Sequence, residues 1–424
     1  MSEPSALPSQ NDIMDRQQDD IVARQYEAWV YPPPIHDMVD AITQGYYEYA
    51  DIQAGGPIFW PRRRDFNDLD ILIAGCGTNQ AAYTALRNPS SRVVAIDISQ
   101  SSLSHSQYLK DKHGLDNLEV RHLDLMAVAS LDKSFDFILS TGVLHHLKEP
   151  DRGLQALRGV LRPAGVMHLM LYGKTLRQGV YLLQEAFRLM GLGQSKEDID
   201  IVRKTLTALP GRHSVHAYLN AKDAAEELKY DTAIVDTFLH GRDRAYSITE
   251  IFDFVEENGL AFLGWMDRLD CSGQANFPAN DAISKRIKRL DERKRAAIID
   301  LLAYTHGVHR FNLCHPEYLQ SLPKIDFEGT EFLHYVPRPH SRLKVSWTRP
   351  ANPDSPAILE REWHLMPISH HQALLIEHAN GRNTIAEILG VLDGQSMTDE
   401  EKLHLARQTF ATLYDMGHLL FSVF

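Results

Sequence analysis

Apolar residues in this chain fall in short unbroken runs separated by helical stretches. The run Ile71-Leu72-Ile73-Ala74 breaks into Gly75-Cys76-Gly77-Thr78-Asn79-Gln80. Four apolar positions without polar alternation suit a strand buried on both faces. Glycine at 75 and 77 permits positive φ and lets a ligand lie directly against the backbone. Gln80 to Leu86 then predicts a helix, whose start offers free N–H donors and a positive dipole end. The pattern repeats. Arg92 to Asp97 and Leu118 to Asp124 are strands ending in an acid, and Phe135 to Ser140 is a fourth that runs into Thr141-Gly142-Val143-Leu144-His145-His146. Leu161-Arg162-Pro163-Ala164-Gly165 predicts a turn into a fifth strand, Val166 to Leu171. Such alternation predicts a parallel sheet covered on both faces, with ligand at the carboxyl ends of the strands.

The dinucleotide fingerprint G-x-G-x-x-G fails here, because Gln80 stands three residues beyond Gly77. Instead, the pieces at 74–80, 95–99, 122–125, 135–147 and 161–165, in that order, resemble the class I S-adenosylmethionine-dependent methyltransferases. The resemblance covers roughly residues 65 to 175. It implies that Gly75 and Gly77 approach the methionine part of S-adenosyl-L-methionine, that Asp97 holds the ribose diol, and that Asp124 with Leu125 meets the adenine. Ala74, Cys76, Asn79, Gln80, Ile98, Thr141 and Gly142 complete the implied cofactor-binding set. Two positions depart from the family pattern: Ile73 replaces an acid, and Asn79 replaces a third glycine.

Of 424 residues, 44% are hydrophobic and 24% charged, as in an ordinary globular protein with room for a large core and a smaller domain. No apolar run is long enough to span a bilayer. The polar, acidic N-terminus lacks the features of a secretory signal. Cys76, Cys271 and Cys314 give no disulfide framework, so the expected compartment is the reducing cytoplasm. A net charge of −12 argues against a nucleic-acid partner, the basic stretch 285–295 being read as a solvated helix face.

Residues 1–65 are expected to form a tail and a helical lid, in which Tyr31-Pro32-Pro33-Pro34 interrupts the helix. Residues 66–330 would hold the main domain, with helical insertions at 173–231 and 268–306. The stripe Val180, Leu182, Leu183, Ala186, Phe187 and Met190 marks the first insertion as helical. Ser247 and Glu250 form a capping-box pattern, and Phe262–Trp265 and Val308–Leu313 complete the sheet. Five prolines between 337 and 356 suggest a linker over 331–356, and 357–424 reads as a helical, winged-helix-like module. The expected fold is α/β: a Rossmann-like, doubly wound, mostly parallel seven-stranded sheet with helical insertions and a small C-terminal helical domain.

Methyl transfer from a sulfonium needs alignment, exclusion of water and, for a hydroxyl or protonated amine acceptor, a base. His145 and His146 follow the fourth strand; in a helix their side chains diverge by about 100°, so at most one of them is expected to face the site. His146 is the candidate, joined by Asp236 and His240, with Arg242 nearby, on a loop before the sixth strand. His306, His309, Cys314 and His315 lack the paired spacing of a zinc site, and no metal is expected. The expected activity is methyl transfer to an O or N nucleophile of a small molecule or of a peptide or protein side chain. A cofactor-binding scaffold without transfer is the alternative, and a homodimer stays open.

Overall fold

The computed structural model describes residues 20–43, 51–221, 224–272, 276–277, 281–304, 307–347 and 357–424. The acidic tail, His306 and the end of the proline-rich stretch lie outside them. Seven strands form the main sheet: β1 Asp70–Ala74, β2 Arg92–Asp97, β3 Leu118–His122, β4 Phe135–Thr141, β5 Leu161–Tyr172, β6 Ala261–Trp265 and β7 Val308–Cys314. Their order is β3-β2-β1-β4-β5-β7-β6. β1 pairs in parallel with β2 and β4, β2 with β3, and β4 with β5, whereas β7 runs antiparallel to β5. Ile71, Leu72 and Ile73 are wholly buried, as a strand covered on both faces requires. The strand order reverses between β1 and β4, which opens a crevice beyond their carboxyl ends.

The chain packs as two compact units. The first takes in the described residues of Met1–Ala50, then Asn67–Phe262 and Tyr304–Pro316. The second joins Asp51–Phe66, Leu263–Ala303 and Glu317–Phe424. These units cut across the division expected along the chain. Hydrogen bonds between distant residues link the pieces of the second unit: Val423 N donates to Pro61 O at 2.7 Å, and the Tyr318 hydroxyl donates to Phe59 O at 2.8 Å.

Other expectations need correction. Leu161–Gly165 belongs to β5 itself, which pairs with β4 across a register shift at Phe135/Phe137. In helix Gln178–Leu189 the buried stripe is Val180, Leu183 and Phe187, while Leu182 and the following Met190 are exposed. The 331–356 stretch contains two strands, β8 Val336–Pro339 and β9 Lys344–Trp347. Pro337 and Pro339 fit there because β8 pairs with a single neighbour, β12 Leu419–Ser422, and an edge leaves room for residues without an N–H. The C-terminal part also carries the antiparallel meander β9-β10-β11, with β10 Ala357–Arg361 and β11 His364–Ile368, so its helices share the core with sheets.

Candidate active site

The turn after β1 shows why glycine stands where it does. Gly75 has φ +76°, and a Cβ there would lie 2.3 Å from Val143 Cγ2. Gly77 has φ +54°, and its missing side chain makes room for Pro32 and the Tyr31 carbonyl, each about 3.3–3.4 Å from where a Cβ would stand. Asp97, at the tip of β2, closes the turn: its Oδ2 accepts from Gly77 N at 2.8 Å and its Oδ1 from Ser99 N at 2.9 Å. Burial raises the Asp97 pKa, against the pull of these donors. A carboxylate has about four lone-pair sites, so acceptor capacity remains for a hydroxyl pair.

Gln80 opens the helix Gln80–Arg87. Its Oε1 accepts from the Thr141 hydroxyl at 3.1 Å, and its buried Nε2 has no hydrogen-bond partner among the described residues. That orphaned donor, the two glycines and the Asp97 carboxylate fit a polar ligand at the switch point. Ala74 and Cys76 are buried beneath the turn, Ile98 follows Asp97, and Gly142 has φ +75° beside Met170. Asp124 caps the short helix beginning at Leu125, where its Oδ1 accepts from Met126 N at 2.8 Å.

A strap from the N-terminal region crosses this turn. The Thr78 hydroxyl donates to Pro32 O at 2.9 Å, Asn79 Nδ2 donates to Pro33 O at 3.1 Å, and Ile35 N donates to Asn79 Oδ1 at 2.9 Å. The asparagine in place of a third glycine therefore fastens the strap. One turn earlier, Glu27 accepts from Ser101 N and from the hydroxyls of Ser99 and Ser101.

Beyond β4 and β5 the three expected catalytic residues come together. A ring nitrogen of His146, one of His240 and a carboxylate oxygen of Asp236 all lie within 4.8 Å of one another, and all three residues are buried. Asp236 sits on helix Asp231–Phe238 rather than on a loop, and His240 and Arg242 follow that helix. The rings of His146 and His240 stack at 4.0 Å and 15°. Arg242 fixes their tautomers in opposite senses. Its backbone N–H donates to His240 Nδ1 at 3.0 Å, so the ring proton of neutral His240 is on Nε2. Its carbonyl accepts from His146 Nδ1 at 3.1 Å, which leaves the lone pair of His146 on Nε2. His146 Nε2 is buried and without a hydrogen-bond partner among the described residues.

Tyrosines surround the carboxylate: the Tyr26 hydroxyl donates to Asp236 Oδ1 at 2.9 Å and the Tyr172 hydroxyl to Oδ2 at 2.8 Å. Each carboxylate oxygen thus has a hydrogen bond within the protein. Arg177, also buried, lies 3.7 Å over the Tyr172 ring and 3.9 Å from Asp243. Burial holds His145 and His146 well below the ordinary histidine pKa, and neighbouring rings push His146 the same way. Burial also lowers the His240 pKa, opposed by Asp236, and raises the tyrosines Tyr26 and Tyr172 well above the phenol range. The short 3-10 turn Leu144–His146 brings both rings onto Tyr172, His145 at 3.9 Å and His146 at 5.4 Å. Of the other histidine and cysteine residues, His309 and Cys314 lie in β7, His315 follows it, and His306 is outside the described residues.

A methyltransferase-domain family model matches residues 72–169. An uncharacterized protein of Synechococcus is 31% identical over 286 residues, covering 66% of this chain and 68% of that protein. The chain belongs to the class I S-adenosylmethionine-dependent methyltransferases. A ubiquinone biosynthesis O-methyltransferase of Parvibaculum lavamentivorans is 27% identical over 30% of this chain, which spans half the length of that relative. PKMT2 from Rickettsia typhi shares the fold at 15% identity and a TM-score of 0.65, over 92% of this chain and 77% of that one. In this methyltransferase the matched segment carries the glycine turn and His146, whereas Tyr26, Asp236 and His240 lie outside it. Tyr26, Tyr172 and Arg177 went unread in the sequence. The aromatic cluster before Pro32 and the position of Tyr172 at a strand's carboxyl end were the available signals.

Proposed function

We propose that the chain transfers a methyl group from S-adenosyl-L-methionine to an O or N nucleophile, with Gly75, Gly77, Gln80, Asp97 and the Thr141–Gly142 corner holding the cofactor and His146 taking the acceptor's proton. The bound cofactor supplies the methyl group on a sulfonium already disposed to leave. With the cofactor held there, the acceptor's lone pair would take the methyl group and the carbon–sulfur bonding electrons would stay on the departing neutral sulfur. The acceptor's proton passes to His146 Nε2.

The observation that carries this reading is the buried lone pair of His146, without a hydrogen-bond partner among the described residues and fixed in direction by the Arg242 carbonyl. Desolvation keeps the ring neutral at neutral pH, so it is ready to accept a proton. Asp236 and its two tyrosines place a negative charge beside the imidazolium formed on transfer. The same chemistry serves a small molecule and a peptide or protein side chain.

Titration calorimetry with S-adenosylmethionine and with NAD tests the cofactor half: micromolar binding of the first alone is expected. Asp97→Ala should weaken it at least tenfold, or about 1.4 kcal/mol. Labelled-methyl incorporation into extract fractions tests the transfer half. His146→Gln should cut the labelling rate by roughly a hundredfold with cofactor affinity kept. Cofactor binding with no labelling of any fraction would favour a scaffold.

A further inference from the structure

We propose that Tyr26 is a positioning residue of the proton-handling site: its hydroxyl bridges His240 to Asp236 and prevents the two from meeting as an ion pair. The proposal rests on the reading of His146 as the base.

Tyr26 lies in helix Ile21–Ala28, more than two hundred positions from Asp236 and His240. Its hydroxyl donates to Asp236 Oδ1 at 2.9 Å and lies 3.4 Å from His240 Nε2. With the His240 proton on Nε2, the order of donation is imidazole to phenol to carboxylate. A second phenol, Tyr172, serves the other carboxylate oxygen. The Asp236 charge is thereby stabilised by two neutral donors, and His240 is spared a direct carboxylate partner. Two histidine rings stacked at 4.0 Å cannot both carry a positive charge without repulsion. If His240 were charged, His146 would be a poorer base. The hydroxyl of Tyr26 thus keeps the proton-accepting role on His146.

The rest of the helix is fastened so as to hold that hydroxyl in place. Asp20 caps the helix through Val22 N at 2.8 Å and accepts from Arg242 Nη2 at 2.9 Å. Gln25 Oε1 accepts from Gly241 N at 3.0 Å. Arg242, the residue that sets both tautomers, also donates from Nε to His146 O at 2.8 Å. The charged and titratable groups facing His240 are Asp236 from helix Asp231–Phe238, Arg242 and Asp243 from its own loop, Arg177 beyond β5, His145 and His146 after β4, and Tyr26 itself.

Nitrogen-15 spectra of the histidines in the full chain decide the matter without needing an acceptor. In the wild type, His146 should be protonated on Nδ1 and His240 on Nε2, both rings neutral at pH 7. Tyr26→Phe should raise the His240 titration midpoint by about one pH unit, because Asp236 then faces the ring without the phenol. The His146 tautomer should not change, and S-adenosylhomocysteine affinity should stay within about twofold. The pH profile of labelled-methyl transfer should shift with the His240 midpoint. Glu27→Gln loosens the helix without touching the hydroxyl, and it should leave the His240 midpoint in place. Asp236→Asn offers a second measure, since removing the charge should lower the midpoint. An unmoved midpoint in Tyr26→Phe, or an equal shift in Glu27→Gln, overturns the proposal. If no methyl transfer is found, the spectra still decide the role of Tyr26, so the two readings fail separately.

Discussion

At the residue scale, the most constrained positions are those where backbone geometry and a neighbour agree. Gly75 combines φ +76° with a Val143 methyl 2.3 Å from any added Cβ. Gly75→Ala should therefore cost more than the roughly 1–2 kcal/mol of left-handed strain alone, read as a lowered urea midpoint. His146 shows the converse: its chemistry depends less on its type than on a carbonyl 96 positions away. The sequence identified His146, Asp236 and His240 as residue types suited to proton transfer. It could not reveal that the backbone N–H and C=O of one residue, Arg242, orient two of them in opposite senses. Arg361 is another case. It lies wholly buried in β10, paired with Asp267 and donating to Gly417 O at 2.6 Å, and no local pattern sets it apart from a surface arginine.

At the scale of elements, periodicity was a sound guide wherever a segment buries one stripe or both faces. The strands β1 to β5 and the capping box at Ser247 and Glu250 follow from local pattern. Pattern failed where pairing overrides composition, as in β8, whose prolines suggested a linker. It failed also for Asp236, because a buried polar residue on a short helix looks the same as one on a loop until its partners are known. The strap over the glycine turn yields a prediction of its own. Asn79→Ala removes the holds on Pro33 and Ile35, so release of bound S-adenosylhomocysteine should speed up about tenfold, equivalent to roughly 1.4 kcal/mol. Stopped-flow displacement measures this; an unchanged rate would mean the strap does not cover the ligand.

For the whole molecule, the notable feature is the set of histidines whose pKa burial lowers: His105, His145, His146, His168, His240, His364 and His418. A depressed histidine pKa means that the unfolded chain binds protons the folded one refuses. Stability is therefore fully present above the unfolded value near 6.5 and falls as pH drops toward the folded value, about 4 for His168. His168 alone should account for about 2 kcal/mol between pH 7 and pH 5. Urea unfolding of wild type and His168→Gln at both pH values checks this, the variant being expected to show the shallower loss. An equal loss in both would place the acid sensitivity elsewhere.

The sequence by itself determined the sheet, the glycine turn, the acid at the tip of β2 and the family to which these belong. Each of these depends on neighbours within about ten positions, where alternation, turn chemistry and helix starts operate. Only the tertiary structure decided the grouping of Asp51–Phe66 with residues beyond 316, the tautomers of His146 and His240, and the arrival of Tyr26 at Asp236, 210 positions away. Those are set by hydrogen bonds and burial between segments whose separation along the chain leaves no local trace.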